Sequence, residues 1–276
     1  MNNICCRNCG EQGHIFKNCN LPITSYGILC FHKNNTSNKI KYLMIKRRHT
    51  FAYIEFLRAK YDLLDPVYIQ RMFNHMTVFE RELVSNNKFN YLWNKLWCIK
   101  KNTKINNPNL KGDFYKGVIK FNILQNGFIS DLDGKFYKLS LFIENCNQNY
   151  KYPEWFFPKG RQNPNETNIE SAIREFEEES NILSENISIY EDIKPIEEIH
   201  IGSNGVKYRT VFYIAKYNKN NVTEFVKQNR NKHQRHEIDA LEWFTKEECL
   251  EHFRDYENEK KNLFIKANKV VETLIK

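Results

Sequence analysis

The stretch that most constrains this chain runs from Gly160 to Ile182. It reads Gly160-Arg161-Gln162-Asn163-Pro164-Asn165-Glu166 and, after seven intervening residues, Arg174-Glu175-Phe176-Glu177-Glu178-Glu179-Ser180-Asn181-Ile182. The spacing predicts a loop feeding a helix. Glu175, Glu178 and Glu179 then stand at i, i+3 and i+4 and share one face. Three like charges there destabilise a bare helix, and a hard oxygen-seeking cation such as Mg²⁺ or Mn²⁺ reverses that cost. Ile169, Ile173 and Phe176, with Ala172 beside them, recur at helical spacing on the other side, a face suited to burial against a sheet. Arg174 borders the acidic face, within reach of Glu166 or of a phosphate oxygen. Asn181 follows the expected helix end, where a left-handed backbone is common and Asn is the next best residue to Gly.

These residues fit Gly-x5-Glu-x7-Arg-Glu-U-x-Glu-Glu-x-Gly-U, with U bulky and apolar, at every fixed position except Asn181. The chain therefore resembles the Nudix hydrolases. That resemblance implies an α/β/α sandwich with a mixed sheet, cleavage of a phosphoanhydride bond, and metals held by Glu175, Glu178, Glu179 and the backbone carbonyl of Gly160. It also implies that Glu166 and Arg174 keep the loop–helix–loop in shape. The competing reading of the same residues is a solvated acidic helix.

Length and charge agree with such an enzyme. The chain has 276 residues, enough for one large domain or two smaller ones, and a net charge of +9 despite the acidic cluster. Basic charge around a focused acidic patch suits a polyanionic substrate cut with metals, although it also serves solubility. No stretch approaches the roughly 18 apolar residues of a membrane helix, and no signal segment opens the chain. Eight cysteines stand at 5, 6, 9, 19, 30, 98, 146 and 249. Their crowding at the start, with a His among them, argues for a reducing compartment, taken as the cytoplasm, and a metal site rather than a disulfide framework.

Cys6-x2-Cys9-x4-His14-x4-Cys19 has the spacing of a CCHC zinc knuckle, with Gly10 and Gly13 at its usual glycine positions. One Zn²⁺ would take three thiolates and an imidazole and leave no open position. So short a segment has no core, and the metal would supply its folding energy. Knuckles bind single-stranded nucleic acid by stacking and phosphate pairing, here with Ile15, Phe16, Arg7 and Lys17 available. A zinc-stapled protein contact is the alternative. Cys5 is an adjacent thiol that fits the spacing less well than Cys6.

Elsewhere, Ser25–Phe31 and Lys41–Lys46 read as a strand hairpin. From about Glu55 the pattern turns helical, with Asp65-Pro66 as a helix start and Thr77-x-x-Glu80 as a capping box. Phe89, Leu92, Trp93, Leu96 and Ile99 continue at helical spacing. Asn102 to Lys120, rich in Asn and Lys, reads as a basic linker or exposed surface. Tyr152–Phe157 reads as a strand. Ile196–Ile201 and Tyr208–Lys216 flank a strong turn at Gly202-Ser203-Asn204-Gly205. Leu241–Phe244 reads as a last strand, Thr245-x-x-Glu248 as a helix cap, and Leu263 to Leu274 as an amphipathic helix. The resulting division is a knuckle over 1–21, a Nudix domain over 22–55 and 111–276 with its box at 160–182, and a helical insertion over 56–110.

Phe157-Pro158-Lys159-Gly160-Arg161 resembles the lead-in to the box of mRNA-decapping and diphosphoinositol polyphosphate hydrolases. The insertion, with EFLRAKY and NYLWNKLW, and the later IGSNGVKYRTVFYIAKY look like the decapping Nudix proteins of large cytoplasmic DNA viruses. The resemblance implies removal of the 5′ cap of mRNA, releasing m7GDP and 5′-monophosphate RNA, with Lys159, Arg161 and Arg174 toward the substrate. It also implies a general base from a later loop, for which Glu237 is the candidate. An ordinary exposed Glu is the other reading of that residue. Lys227, Arg230, Lys232 and Arg235 either guide an RNA backbone or form a solvated loop. Two other functions stay open: a diphosphoinositol or dinucleoside polyphosphate hydrolase, and a non-enzymatic RNA-binding protein. The knuckle favours RNA, and three intact repelling carboxylates favour an enzyme.

Overall fold

A computed structural model describes residues 6, 8, 11–14, 18–33, 39–99, 107–202, 205–219 and 237–275. The chain opens with β1 (Ile23–Lys33) and β2 (Ile40–Arg47). A helical stretch follows: α1 (Phe51–Leu57), α2 (Pro66–His75), α3 (Val78–Asn86), α4 (Phe89–Leu96), α5 (Pro108–Asn126), the short strands β3 (Phe128–Ile129) and β4 (Phe136–Tyr137), and α6 (Leu139–Glu144). Then come β5 (Trp155–Phe156), β6 (Lys159–Gly160), α7 (Asn168–Ser180), β7 (Ile187–Ile189), β8 (Ile196–Ile201), β9 (Lys207–Tyr217), β10 (Ile238–Phe244), α8 (Lys246–His252) and α9 (Asn258–Leu274). The chain divides into two compact units, one of Met1–Lys46 with Trp155–Lys276, the other of Arg47–Glu154.

The first unit is built on a mixed sheet ordered β10-β2-β1-β9-β7, with β5 on β2, β6 on β1 and β8 on β9. β1 lies at its centre, parallel to β9 from Ile23↔Tyr208 to Phe31↔Lys216 and antiparallel to β2. A central strand covered on both faces must be apolar at successive positions, and Ile28 to Phe31 are all buried. Alternation then sorts them. Ile28 and Cys30 pack with Ala172 and Phe176 of α7, whereas Leu29 and Phe31 pack with Leu263, Phe264 and Val271 of α9. Each such large side chain contributes about 1.5–3 kcal/mol by leaving water. The expected hairpins form: β1 pairs with β2, and β8 pairs with β9 from Ile196↔Phe212 to Ile201↔Lys207. Gly205 takes a positive φ of 74° at the turn between β8 and β9.

The second unit is helical. Its core gathers Tyr53, Phe56, Phe73, Trp93, Phe121 and Phe142 with neighbouring aliphatics. Asp65 caps α2 with Pro66 after it, and Thr77 and Glu80 form the expected capping box on α3. Glu80 is buried, and its carboxylate also accepts from Thr50 N and Thr50 Oγ1, each at 2.8 Å.

Two expectations are corrected here. The helical unit runs from Arg47 to Glu154 rather than over 56–110, because α1 precedes that stretch and α5 and α6 follow it. The segment read as a linker or surface holds most of α5, capped by Asn107 with Pro108 behind it. Its apolar face is thin, which hid the period. Gly117 is where α5 comes closest to its neighbours, since a Cβ there would meet Phe89 and lie 2.7 Å from the Leu57 carbonyl oxygen. Buried Asp113 anchors the helix through Arg58 Nε and Lys60 Nζ, each at 2.8 Å.

Candidate active site

β6 has only two residues, yet it sets the site. It pairs antiparallel with β1, Lys159 opposite Gly27 and Gly160 opposite Tyr26, and Ile28 N donates to Pro158 O at 3.2 Å. The approach is close because Gly27 has no side chain: a Cβ there would overlap the Pro158 carbonyl and lie 2.6 Å from Lys159 Cβ. Gly160 faces α7, where a Cβ would overlap the carboxyl group of Glu175.

α7 begins with a capping box. Thr167 Oγ1 accepts from Glu170 N at 3.3 Å, and the Glu170 carboxylate accepts from Thr167 N at 2.7 Å. It ends at Asn181, which takes the left-handed conformation (φ 59°, ψ 22°) foreseen for it and donates its N–H to Glu177 O at 2.9 Å. Ala172 and Phe176 are fully buried. Glu175, Glu178 and Glu179 are only partly covered.

Arg174 ties loop and helix together. Nε and Nη2 grip the two Glu166 oxygens at 2.6 and 3.0 Å. Nη1 donates to Glu175 at 2.7 Å and to Glu178 at 3.3 Å, and Nη2 also donates to Arg161 O at 2.8 Å. A planar fork with five N–H groups suits this arrangement, which an ammonium does not reproduce. Asn163 completes the loop by donating its backbone N–H and its amide to Glu166 at 2.8 and 3.1 Å. The hydrogen bond from Arg174 is the largest effect holding the Glu166 carboxyl at a pKa of about 2. Glu175 is pushed the other way: burial raises its pKa most, Arg174 opposes, and the charges of Glu178 and Glu237 raise it further.

The remaining expected residues are placed as follows. Glu179 accepts the backbone N–H of Lys159 at 2.7 Å. Lys159 thus reaches the acidic cluster through its backbone. Its side chain leaves from the opposite face, with Nζ 5.9 Å from the Phe156 ring centroid, where Lys260 Nζ of α9 also lies at 4.8 Å. Arg161 is exposed and touches the cluster through its carbonyl. Glu237 is exposed just ahead of β10, close enough for its charge to bear on Glu175. Lys227, Arg230, Lys232 and Arg235 lie outside the described residues.

At the N-terminus, the ligand atoms of Cys6, His14 and Cys19 lie within 4.8 Å of one another, the one such group of three among the described residues. The carboxylates of α7 form no such group among the described residues; Arg174 binds Glu175 and Glu178, and the Lys159 N–H binds Glu179. Asn8, foremost, and then His14 hydrogen-bond the Cys19 thiol and lower its pKa to about 6. Cys9, Arg7, Ile15, Phe16 and Lys17 fall outside the described residues.

Sequence reading missed Gly27, Asn163, Asn8 and the Thr167–Glu170 box. Two of these carried a signal: Thr167-x-x-Glu170 is a capping-box pattern, and a glycine inside an apolar strand marks close backbone approach.

Comparison with known proteins bears on this arrangement. A NUDIX domain model matches residues 129–265. A putative mRNA-decapping protein of Acanthamoeba polyphaga mimivirus is 27% identical, over 95% of this chain and 92% of its own length. The mRNA-decapping protein g5R of African swine fever virus, isolate Pig/Kenya/KEN-50/1950, is 30% identical over 70% of this chain and 72% of its own length. Among solved structures, a C. elegans Ap4A hydrolase overlaps with a TM-score of 0.43 at 15% identity, covering 91% of this chain and 98% of that one. So loose an overlap says nothing of substrate. Kinship at that level with g5R, together with the family match across the box, means that this chain is a Nudix hydrolase.

Proposed function

We propose that this enzyme removes the 5′ cap of mRNA, in the cytoplasm, by metal-dependent phosphoanhydride cleavage that yields m7GDP and 5′-monophosphate RNA. The observation that carries the reading is the reach of the likeness: the mimivirus relative matches 95% of this chain, helical unit included, well beyond the box.

Nudix hydrolases act with a divalent cation, and the donor set here suits a hard one. Glu175, Glu178 and Glu179 offer carboxylate oxygens beside the Gly160 backbone, and burial together with neighbouring charge disfavours ionised Glu175 until a cation offsets it. Bound Mg²⁺ or Mn²⁺ would polarise the phosphorus and lower the pKa of the attacking water. The chain's own residues do the rest. Arg174 and Glu166 hold the loop against α7, so that Gly160 and the three carboxylates keep one geometry. Arg161 lies on the loop that a polyphosphate would meet, Lys159, expected toward the substrate, contributes its backbone N–H to Glu179 while its ammonium sits over Phe156, and Arg174 balances the charge of the cluster. Glu237 takes the proton of the water whose oxygen adds to phosphorus as the bond to the leaving phosphate breaks.

Zn²⁺ in the Cys6, His14 and Cys19 cluster, with Cys9 as fourth ligand from the sequence spacing, suits a knuckle that holds single-stranded RNA. The gathered ligand atoms and the acidified Cys19 thiol support it.

The test is cap-labelled RNA with purified protein and Mg²⁺ or Mn²⁺, alongside Glu179→Gln. Release of m7GDP by the wild type alone is expected. Turnover of a diphosphoinositol polyphosphate with no release from capped RNA overturns the reading in favour of a small-molecule hydrolase. RNA binding that is unchanged by chelation, with no turnover of either substrate, overturns it in favour of a binding protein.

A further inference from the structure

Beside β9 the sheet ends in β8, which pairs with no other strand among the described residues. Edge strands are commonly blunted by Lys, by Pro or by a bulge. β8 reads Ile-Glu-Glu-Ile-His-Ile over Ile196–Ile201, and its register with β9 runs unbroken from end to end, so it has none of these. Ile199 and Ile201 stand on one face, 51% and 74% exposed. Glu198 and His200 share the other face with Ile196, which packs toward α9.

The turn fixes which backbone groups of β8 look outward. Gly202 donates its N–H to Val206 O at 2.8 Å, one step beyond the pair Ile201↔Lys207. Antiparallel pairs alternate between hydrogen-bonded and non-hydrogen-bonded. Glu198 and His200 therefore direct their N–H and C=O groups to Thr210 and Tyr208, whereas those of Glu197, Ile199 and Ile201 point away from β9. The same strand carries two orphaned side-chain atoms. His200 Nδ1 lies 2.9 Å from Glu198 Oε1, yet out of line for a hydrogen bond. His200 Nδ1 and Glu198 Oε2 are both buried with no hydrogen-bond partner among the described residues. Buried polar atoms ordinarily have one.

We infer that β8 is a self-pairing edge: a second copy of this chain docks antiparallel on it, centred on Ile199, and the two sheets become one. Charge selects that register. Centring the pair on Glu198 sets carboxylate against carboxylate, which is destabilising. Centring it on His200 sets imidazole against imidazole and leaves both carboxylates unmet. Centring it on Ile199 sets Glu198 of each copy opposite His200 of the other. Those become non-hydrogen-bonded pairs, where side chains come closest. Each imidazole N–H then donates to a carboxylate across the axis, and Ile199 packs on Ile199. A patch that complements itself in this way is what a two-fold dimer requires. β6 and the acidic cluster lie along the other edge of β1 from β9, so the pairing does not run through them. The dimer does not depend on the decapping reading.

Sedimentation velocity of the full-length protein, from about 1 to 200 µM, covers the weak range of so short an interface, and a Kd of about 10–100 µM is expected. Ile199→Lys, at an exposed position, sets two ammonium groups face to face. It should raise Kd by about tenfold or more and leave the melting temperature unchanged. Glu198→His should weaken the dimer as well. Glu198→His combined with His200→Glu puts donor opposite acceptor again and should return Kd to near the wild-type value. Ile199→Cys under mild oxidation reads the register. Directly opposed Cα atoms about 5.5 Å apart suit a disulfide, so mass spectrometry should find two chains linked through position 199. Ile201→Cys, which faces Glu197 of the second copy, should give no such link. A protein that stays monomeric at the highest concentration overturns the inference. So does a dimer that Ile199→Lys leaves intact, or one that the folded double substitution fails to recover.

Discussion

Gly27→Ala tests whether the close approach of β6 to β1 builds the site. The added methyl would lie 2.6 Å from Lys159 Cβ and 2.7 Å from Phe212 Cε1, and would overlap the Pro158 carbonyl. Carbon atoms prefer about 3.5–4.0 Å, so relief needs a movement of roughly 1 Å. β1 is pinned between β2 and β9, and Phe212 is fully buried. β6 is held by a two-residue ladder and the Ile28–Pro158 bond, so β6 is the element that moves. The shift pulls Lys159 N from Glu179, now 2.7 Å away, and Gly160 from Glu175. Overpacking of this kind costs about 1–3 kcal/mol of stability, and a 1 Å misplacement of reacting groups costs about 100-fold in rate. Thermal unfolding and single-turnover release of nucleotide from capped RNA, at saturating Mg²⁺, measure the two effects separately. An unchanged melting temperature with kcat within about threefold of wild type would refute the argument, because no 1 Å displacement of β6 leaves both intact.

Three other perturbations have defined outcomes. Gly112→Ala lies in α5, where a new Cβ meets nothing within 4 Å; it should stabilise the protein by about 0.5–1 kcal/mol in denaturant unfolding, and a loss of stability would count against the placement of α5. Glu166→Gln should cost stability in a pH-dependent way. The folded-state pKa of Glu166, about 2, lies below its ordinary 4.5, so the wild-type advantage is full above pH 4.5 and disappears as pH falls through about 2; an advantage that persists unchanged to the lower limit would disprove the ion pair. In the zinc-free protein at pH 7, iodoacetamide should alkylate Cys19, whose pKa is about 6, before Cys30 or Cys249, whose thiols are buried and pushed up. Stoichiometric Zn²⁺ should block that labelling, and mass spectrometry showing no protection would remove Cys19 from the metal site.

The box was legible because its constraints are local. The face shared by Glu175, Glu178 and Glu179 follows from helical geometry, and the left-handed Asn181 from the way helices end. The β1–β2 and β8–β9 hairpins and the caps at Asp65, Thr77 and Thr245 rest on the same short-range chemistry. α5 escaped notice because its buried face is sparse and carries an aspartate, Asp113, whose partners Arg58 and Lys60 are over fifty residues away. The extent of the helical unit was hidden for the same reason.

The amino-acid sequence alone determined the chemistry on offer: which carboxylates share a face, which thiols are spaced for a metal, and where the chain must turn. Folding decided which of those groups meet. It placed Gly160 against Glu175, directed the side chain of Lys159 to Phe156 while its N–H went to Glu179, and fastened Asn8 to Thr24 at the end of β1 from which the box loop departs. Spacing along a helix or a turn follows from covalent geometry over a few residues. The pairing of β6 with β1 joins residues more than a hundred positions apart, through contacts that exist only once the sheet has formed.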